Sequence, residues 1–255
     1  MQIGKAGEPV TRIAQAHPDR VEVRGRDLTS DLMGGVTFTE YVHLLLTGRE
    51  PTEEQTFFLD LLLVSIAEHG LMPTNVAARM TLAADPGSVH GAVAAGILGA
   101  GPVVLGTAEE CARLLAEAHA SGRTAEELAR EYRQSGRKLP GFGHPLHRPV
   151  DPRAERILEL ARERGIEGAH VALARELGDH VVDTRGNRLP MNVSMPIAAV
   201  MLDLGFPVSA VKAVPILART AGLLAHLVEE QEEPIGFLLA AKAEEAIVYE
   251  PPPSD

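Results

Sequence analysis

Helix starts are written into this chain at intervals along its length. Thr37 with Glu40, Thr52 with Gln55, Thr107 with Glu110 and Thr124 with Glu127 each place a Thr three residues ahead of an acid or amide. In that pattern the two side chains satisfy each other's backbone N–H groups, which otherwise stay unpaired at a helix start. Asp151-Pro152 marks a fifth start, because Asp caps and Pro suits the first helical position. Gly48 and Gly165 are the corresponding stops. Behind Asp151, Ile157, Leu158 and Ala161 keep helical spacing. Strand signals are few. Val21-Glu22-Val23 alternates ahead of Arg24-Gly25, which predicts one short N-terminal hairpin. The expected fold class is mainly α.

Composition narrows the partners. With 24 Lys and Arg against 35 Asp and Glu, the formal charge of the 255 residues is −11. Nucleic acid and anionic membranes select basic surfaces, so neither is an expected partner. Cys111 is the one cysteine, which excludes an internal disulfide and a cysteine-rich zinc site. No apolar leader follows Met1, and no uncharged apolar run reaches the roughly 18 residues of a membrane span. A cytoplasmic location is expected. Aromatic residues are only 4%, and from Asn75 to Ala100 the sequence is crowded with Ala and Gly. Helices with so little bulk are expected in a core or across a subunit interface.

Among ten histidines, two lie in glycine-rich breaks: His90 in Gly87-Ser88-Val89-His90-Gly91, and His144 in Gly141-Phe142-Gly143-His144-Pro145. Glycine lets a backbone approach a ligand, so either ring could stand at a cleft or be structural. His144, His147 and Asp151 have spacings of three and four, which on a helix would gather metal ligands. Pro145 and Pro149 oppose a regular helix there and HExxH is absent, so no metal is expected. Arg153 opens a helix, and a guanidinium beside a helix N-terminus makes a carboxylate trap. Arg219 lies in an otherwise apolar helix and needs an anion, supplied by the protein or by a ligand.

Together these segments resemble the citrate synthase superfamily. Gly141-Phe142-Gly143-His144 followed by Asp151-Pro152-Arg153 resembles its G-[FY]-G-H-x(6)-D-P-R segment. Ser88-Val89-His90-Gly91-Ala92 resembles L-H-G-G. Met191-Asn192-Val193-Ser194 stands where the family has P-N-V-D, and Arg219 through His226 resembles R-x-x-G-x-x-A-H. Arg24-Gly25-Arg26 and Thr37 through Gly48 resemble two upstream stretches in the same order. The length is closer to stand-alone citryl-CoA lyases, and to the lyase module ending ATP-citrate lyase, than to a full citrate synthase.

The resemblance implies a large helical domain from residues 1–100 and 191–255 around a small helical domain, 101–190. It also implies a homodimer or higher homo-oligomer. The implied substrates are a CoA thioester and a di- or tricarboxylic acid, with no tightly bound cofactor. Carried over by position, His90 stabilises an enol oxygen, while His144 polarises a ketone or deprotonates the hydroxyl. Arg153 and Arg219 hold carboxylates, His69 is a third substrate-binding histidine, and the Gly141, Phe142, Gly143 backbone lies near the thioester.

Ser194 departs from the pattern, since it replaces the aspartate that removes an α-proton. Serine cannot do so at neutral pH without an activating partner. No arginine follows Arg219 to match one the family takes from a partner subunit. His147 and Arg148 are a further difference. Cleavage of citryl-CoA, or a similar 3-hydroxy-3-carboxyacyl-CoA, to acetyl-CoA and a 2-oxo acid starts at the hydroxyl. It tolerates Ser194 better than condensation does, with water or an acid such as Asp183 protonating the enolate. The alternatives are citrate synthase-type condensation of acetyl-CoA with oxaloacetate, or a relative that only binds a CoA thioester or di-acid.

Overall fold

Most of the capping signals are realised. The computed structural model describes residues 9–101, 104–144, 147, 149–182 and 186–251, so Asp183 and Arg148 lie outside it. Thr37 and Thr124 close reciprocal capping boxes with Glu40 and Glu127, opening α1 (Phe38–Thr47) and α6 (Ala125–Gln134). Thr52 and Gln55 exchange the same two bonds, at 2.9 and 3.2 Å, ahead of α2 (Glu53–Ala67). Gly48 ends α1 in the left-handed conformation at φ 74°. Thr107 differs: it is the first residue of α5 (Thr107–Ser121), and Gly106 takes the cap position. The turn in which Gly106 N–H bonds Gly101 C=O brings the chain into the helix one residue early.

The chain divides into two compact units, Met1–Asp60 and Leu61–Asp255. The first holds a three-stranded antiparallel meander of β1 (Ala14–Ala16), β2 (Val21–Val23) and β3 (Arg26–Asp27). The predicted hairpin is its β2–β3 half. Arg24 and Gly25 both have positive φ, 53° and 81°, as a tight two-residue turn matching strand twist requires. β1 is exposed throughout and has no alternation, so the sequence did not announce it. Val23, Leu32 and Leu44 form this unit's core.

The second unit is helical. One group packs α3 (Pro73–Ala84) and α4 (Val89–Leu98) against α11 (Ala213–Glu232) and α12 (Gly236–Ala246). A second joins α5 and α6 to α7 (Pro152–Glu163), α8 (Ala169–His180), α9 (Ser194–Asp203) and α10 (Val208–Val211). α9 and α10 thus pack with the helices that precede them in the chain. α9 is the centre of this group, with Met195, Ile197, Ala198, Ala199, Val200 and Met201 fully buried.

Small residues let α11 come close to its neighbours, as the stretch from Asn75 to Ala100 suggests. Ala78, Leu82 and Ala92 form one core with Leu223 and Leu227. At Gly222, an added Cβ would lie 2.2 Å from the carbonyl oxygen of Ala67, a backbone atom that cannot swing aside. Gly222→Ala is therefore expected to cost about 2–3 kcal/mol by forcing the helices apart. Urea unfolding reads this, and a midpoint equal to the parent's would exclude so close an approach.

Val208–Glu232 has the length and hydropathy of a membrane span, yet 44% of its apolar window is buried inside the protein. It also carries two buried charges, Arg219 and Glu230. Those features fit a core helix.

Candidate active site

A chain of polar side chains runs through the interface of α3 and α11. Arg79, 1% exposed, bonds Glu230 at 2.9 Å, Glu229, and Nδ1 of His226 at 3.0 Å. His226 Nε2 lies 3.1 Å from Glu68, and Glu68 accepts from the Asn75 amide at 3.2 Å. Asn75 in turn offers its carbonyl oxygen to Arg219 Nη1 at 3.1 Å. Burial opposes ionisation of Glu230. The N–H groups of Gly236 and Ile235, with Arg79, outweigh it and hold the carboxyl below its usual range. Breaking such a buried, charge-assisted set costs more than any surface pair in the molecule.

Arg219 ends this chain with its charge uncompensated by direct contact. It is 3% exposed; Nη1 meets an amide oxygen, Nη2 meets the Ile66 carbonyl at 3.3 Å, and Nε is buried with no partner among the described residues. Burial pulls its pKa down, Glu68 pushes it up, and Arg153 adds to the lowering. A buried cation held by neutral acceptors is poised for an anion.

Arg153 is differently placed. Asp151 caps α7, accepting the Arg153 N–H at 3.0 Å. The same carboxylate grips Arg153 Nε at 3.0 Å and Nη2 at 2.8 Å, and also accepts from the Val193 N–H at 3.2 Å. Burial resists the Asp151 charge, but Arg153 overrides it and keeps the pKa low. The Asp-Pro-Arg motif thus builds a locked fork at the first turn of α7. Asp151 is committed to it and is not the third member of a metal set with His144 and His147.

That third member is His69. Its Nε2 lies 3.1 Å from Nε2 of His147, and the His144 and His147 rings stack at 4.3 Å. The His69 and His144 centroids are 5.5 Å apart. One nitrogen from each ring falls within 4.8 Å of the others, close enough for a metal ion. The guanidinium charges of Arg153 and Arg219 oppose a cation at this place, while Asp151 acts the other way. Burial lowers the His69 pKa, and Arg153, His147 and Arg219 lower it further, against an opposing Asp151. His144 is lowered by burial first and then by His147, with Asp151 again opposing. Moreover, His144 Nδ1 accepts the His147 backbone N–H at 3.0 Å, so that lone pair is in use and the ring proton is on Nε2. With two guanidiniums acting on it and an N–H donor on His144, the basin suits an oxygen-rich anion.

The glycine-rich segment lies beside it. Phe142 pairs with Met191 as an isolated antiparallel bridge, Gly143 N–H bonds the Pro190 carbonyl at 2.7 Å, and Asn192 returns bonds to Gly141 and Gly143. Gly143 has φ 87° and open space where a side chain would project. Gly141, at φ 83°, packs too closely on Met195 and Cys111 to carry a Cβ. Cys111 beneath it is fully buried, and burial pushes its thiol pKa far up, so it is unreactive. Ser194 opens α9 at 9% exposure, its N–H bonded to the Asn192 side chain at 3.1 Å.

Of the residues singled out in the sequence, His69, His144, Arg153 and Arg219 thus act on one another, and Ser194 adjoins them through Val193 and Asn192. His90 does not join them. It stands exposed on the first turn of α4, with no hydrogen bond or ring contact to this cluster among the described residues. The sequence alone gave no role to Asn75, Glu68 or Asn192.

The family described as citrate synthase, C-terminal domain, matches residues 33–236. The "Putative citrate synthase 2" of Mycobacterium tuberculosis is 34% identical over 189 residues, covering 71% of this chain and 49% of the relative. The chain spans about half the length of the curated relatives it matches. Citryl-CoA lyase from Hydrogenobacter thermophilus superposes with a TM-score of 0.87 at 30% identity, covering 100% of this chain and 97% of that one. A mutant ATP citrate lyase from Methanosaeta concilii, in complex with (3S)-citryl-CoA, shares the fold at a TM-score of 0.80 and 20% identity. That match covers 98% of this chain and 43% of the other.

Proposed function

This chain belongs to the citrate synthase family, and we propose that within it the protein cleaves citryl-CoA, or a similar 3-hydroxy-3-carboxyacyl-CoA, to acetyl-CoA and a 2-oxo acid. One observation carries the acid-binding part: among the described residues the buried Arg219 guanidinium meets only neutral acceptors, within electrostatic reach of His69. The direction follows from Ser194. Condensation must begin by taking an α-proton, and the family's carboxylate for that step is absent. Cleavage begins at the hydroxyl. The likeness to the Hydrogenobacter citryl-CoA lyase, matched over nearly its whole length, supports the same direction.

The roles are then as follows. Arg219 and the remaining edge of Arg153 hold the substrate carboxylates. His144 donates its Nε2–H to the oxygen that becomes the ketone, which stabilises charge where it develops. This donor role replaces the base role also considered for it, because its acceptor lone pair is occupied. Gly141 to Gly143 let the thioester come close, and His90 meets the enolate oxygen once substrate is bound. The proposal includes a homodimer. Leu224 and Val228 of α11, with Phe237 and Leu238 of α12, are exposed apolar side chains that a second copy would cover.

Purified protein given citryl-CoA is expected to release acetyl-CoA and oxaloacetate in equal amounts, read by NADH-coupled reduction of the keto acid. Absence of keto-acid release from citryl-CoA and its 3-hydroxy-3-carboxyacyl analogues would remove the lyase. Condensation is the second reading, favoured by the names of the curated relatives.

A further inference from the structure

We propose that His147 is an acid–base residue of this site, working as one half of a proton-sharing pair with His69. The inference rests on the cleavage reading and supplies a group that reading lacks. Ser194 has no carboxyl, and His144 keeps its proton on Nε2 because Nδ1 accepts the His147 N–H. Another group must take the hydroxyl proton.

The two Nε2 atoms of His69 and His147 lie 3.1 Å apart. At that distance one ring donates its N–H and the other offers its lone pair, so the pair holds one proton between two nitrogens. A substrate hydroxyl entering the cluster can displace this bond and meet the unprotonated nitrogen. One nitrogen from each of the three rings lies within 4.8 Å of the others, so a single oxygen can reach both His144 and the pair. The charged groups acting on the pair are Arg153, Arg219 and Asp151, with His144 stacked on His147. A bound polycarboxylate adds negative charge and favours protonation once substrate is in place.

In the step itself the substrate O–H bond breaks and its proton passes to the unprotonated Nε2, making the pair cationic. The C–C bond then breaks. Its electron pair moves into the thioester enolate, and the carbinol carbon becomes the ketone of the 2-oxo acid. The imidazolium returns the proton to the enolate carbon. Acetyl-CoA leaves, and the pair is neutral again.

The test is His147→Gln in the full chain. Gln keeps a polar partner for His69 but cannot carry the proton. Its kcat for citryl-CoA cleavage is expected to fall about 10²-fold, with KM nearly unchanged and the acidic limb of the kcat–pH profile lost. Turnover within about threefold of the parent would overturn the pair. A second measurement needs no turnover. Oxaloacetate binding is followed by calorimetry at pH near 7.5 in two buffers of different ionisation enthalpy. Proton uptake by the parent that disappears in His147→Gln supports the pair; equal uptake in both proteins overturns it. A parent that takes up the proton yet releases no keto acid from citryl-CoA would leave the pair standing while the lyase reading falls.

Discussion

Arg219→Met will weaken oxaloacetate binding by about 10²–10³-fold while leaving the fold intact, because truncating one member of a buried charge pair costs about 2–5 kcal/mol. Met has nearly the length of the arginine stem and no charge. Among the described residues Arg219 bonds only the Asn75 side chain and the Ile66 carbonyl, and its Nε has no partner. Replacing it relieves the desolvation of a buried cation and leaves two neutral acceptors unsatisfied, and these costs oppose each other. Affinity and stability therefore separate. Calorimetry with oxaloacetate reads the first and thermal unfolding the second. A variant that melts much earlier but binds as the parent does would make Arg219 a structural residue and leave the site without its main cation.

The sequence showed the local devices well and the distant ones poorly. Thr37, Thr124 and Asp151 announce helices because a cap is completed within three residues, and no tertiary context is needed to close it. Thr107 misled because the preceding glycine turn determined where α5 begins. Arg219 was legible as a demand for an anion, since a lone cation in an apolar helix is costly wherever the helix lies. What answers that demand was not legible. Asn75 lies 144 residues from Arg219, and Arg79 lies 147 from His226. The histidine cluster shows the same limit. Spacing paired His144 and His147 with Asp151, whereas the fold gave Asp151 to Arg153 and brought His69 across 78 residues to His147. No local period encodes a contact of that separation.

Ser194→Asp should restore the condensing direction, raising the rate of citrate formation from acetyl-CoA and oxaloacetate by about 10²–10⁴-fold, the usual worth of a positioned general base. The position is built to accept it. Residue 194 is the first of α9, where the aligned peptide dipoles stabilise a carboxylate by about 0.3–1 kcal/mol. The Asn192 side chain already fixes the backbone of residue 194, and Val193 N–H ties the same turn to Asp151. The new carboxylate stays ionised at neutral pH and so is ready to take an α-proton, though the dipole that stabilises it also makes it a weaker base. Cleavage responds in a different way. If the His69–His147 pair handles the hydroxyl proton, added negative charge nearby favours its protonated form and moves the acidic limb of the kcat–pH profile upward, without abolishing turnover. Citrate formation by Ser194→Asp equal to the parent's, in a variant with unchanged melting, would show that the missing carboxylate is not what limits condensation. The direction would then have to lie in how the basin grips oxaloacetate, where Arg219 rather than Ser194 is the residue to vary.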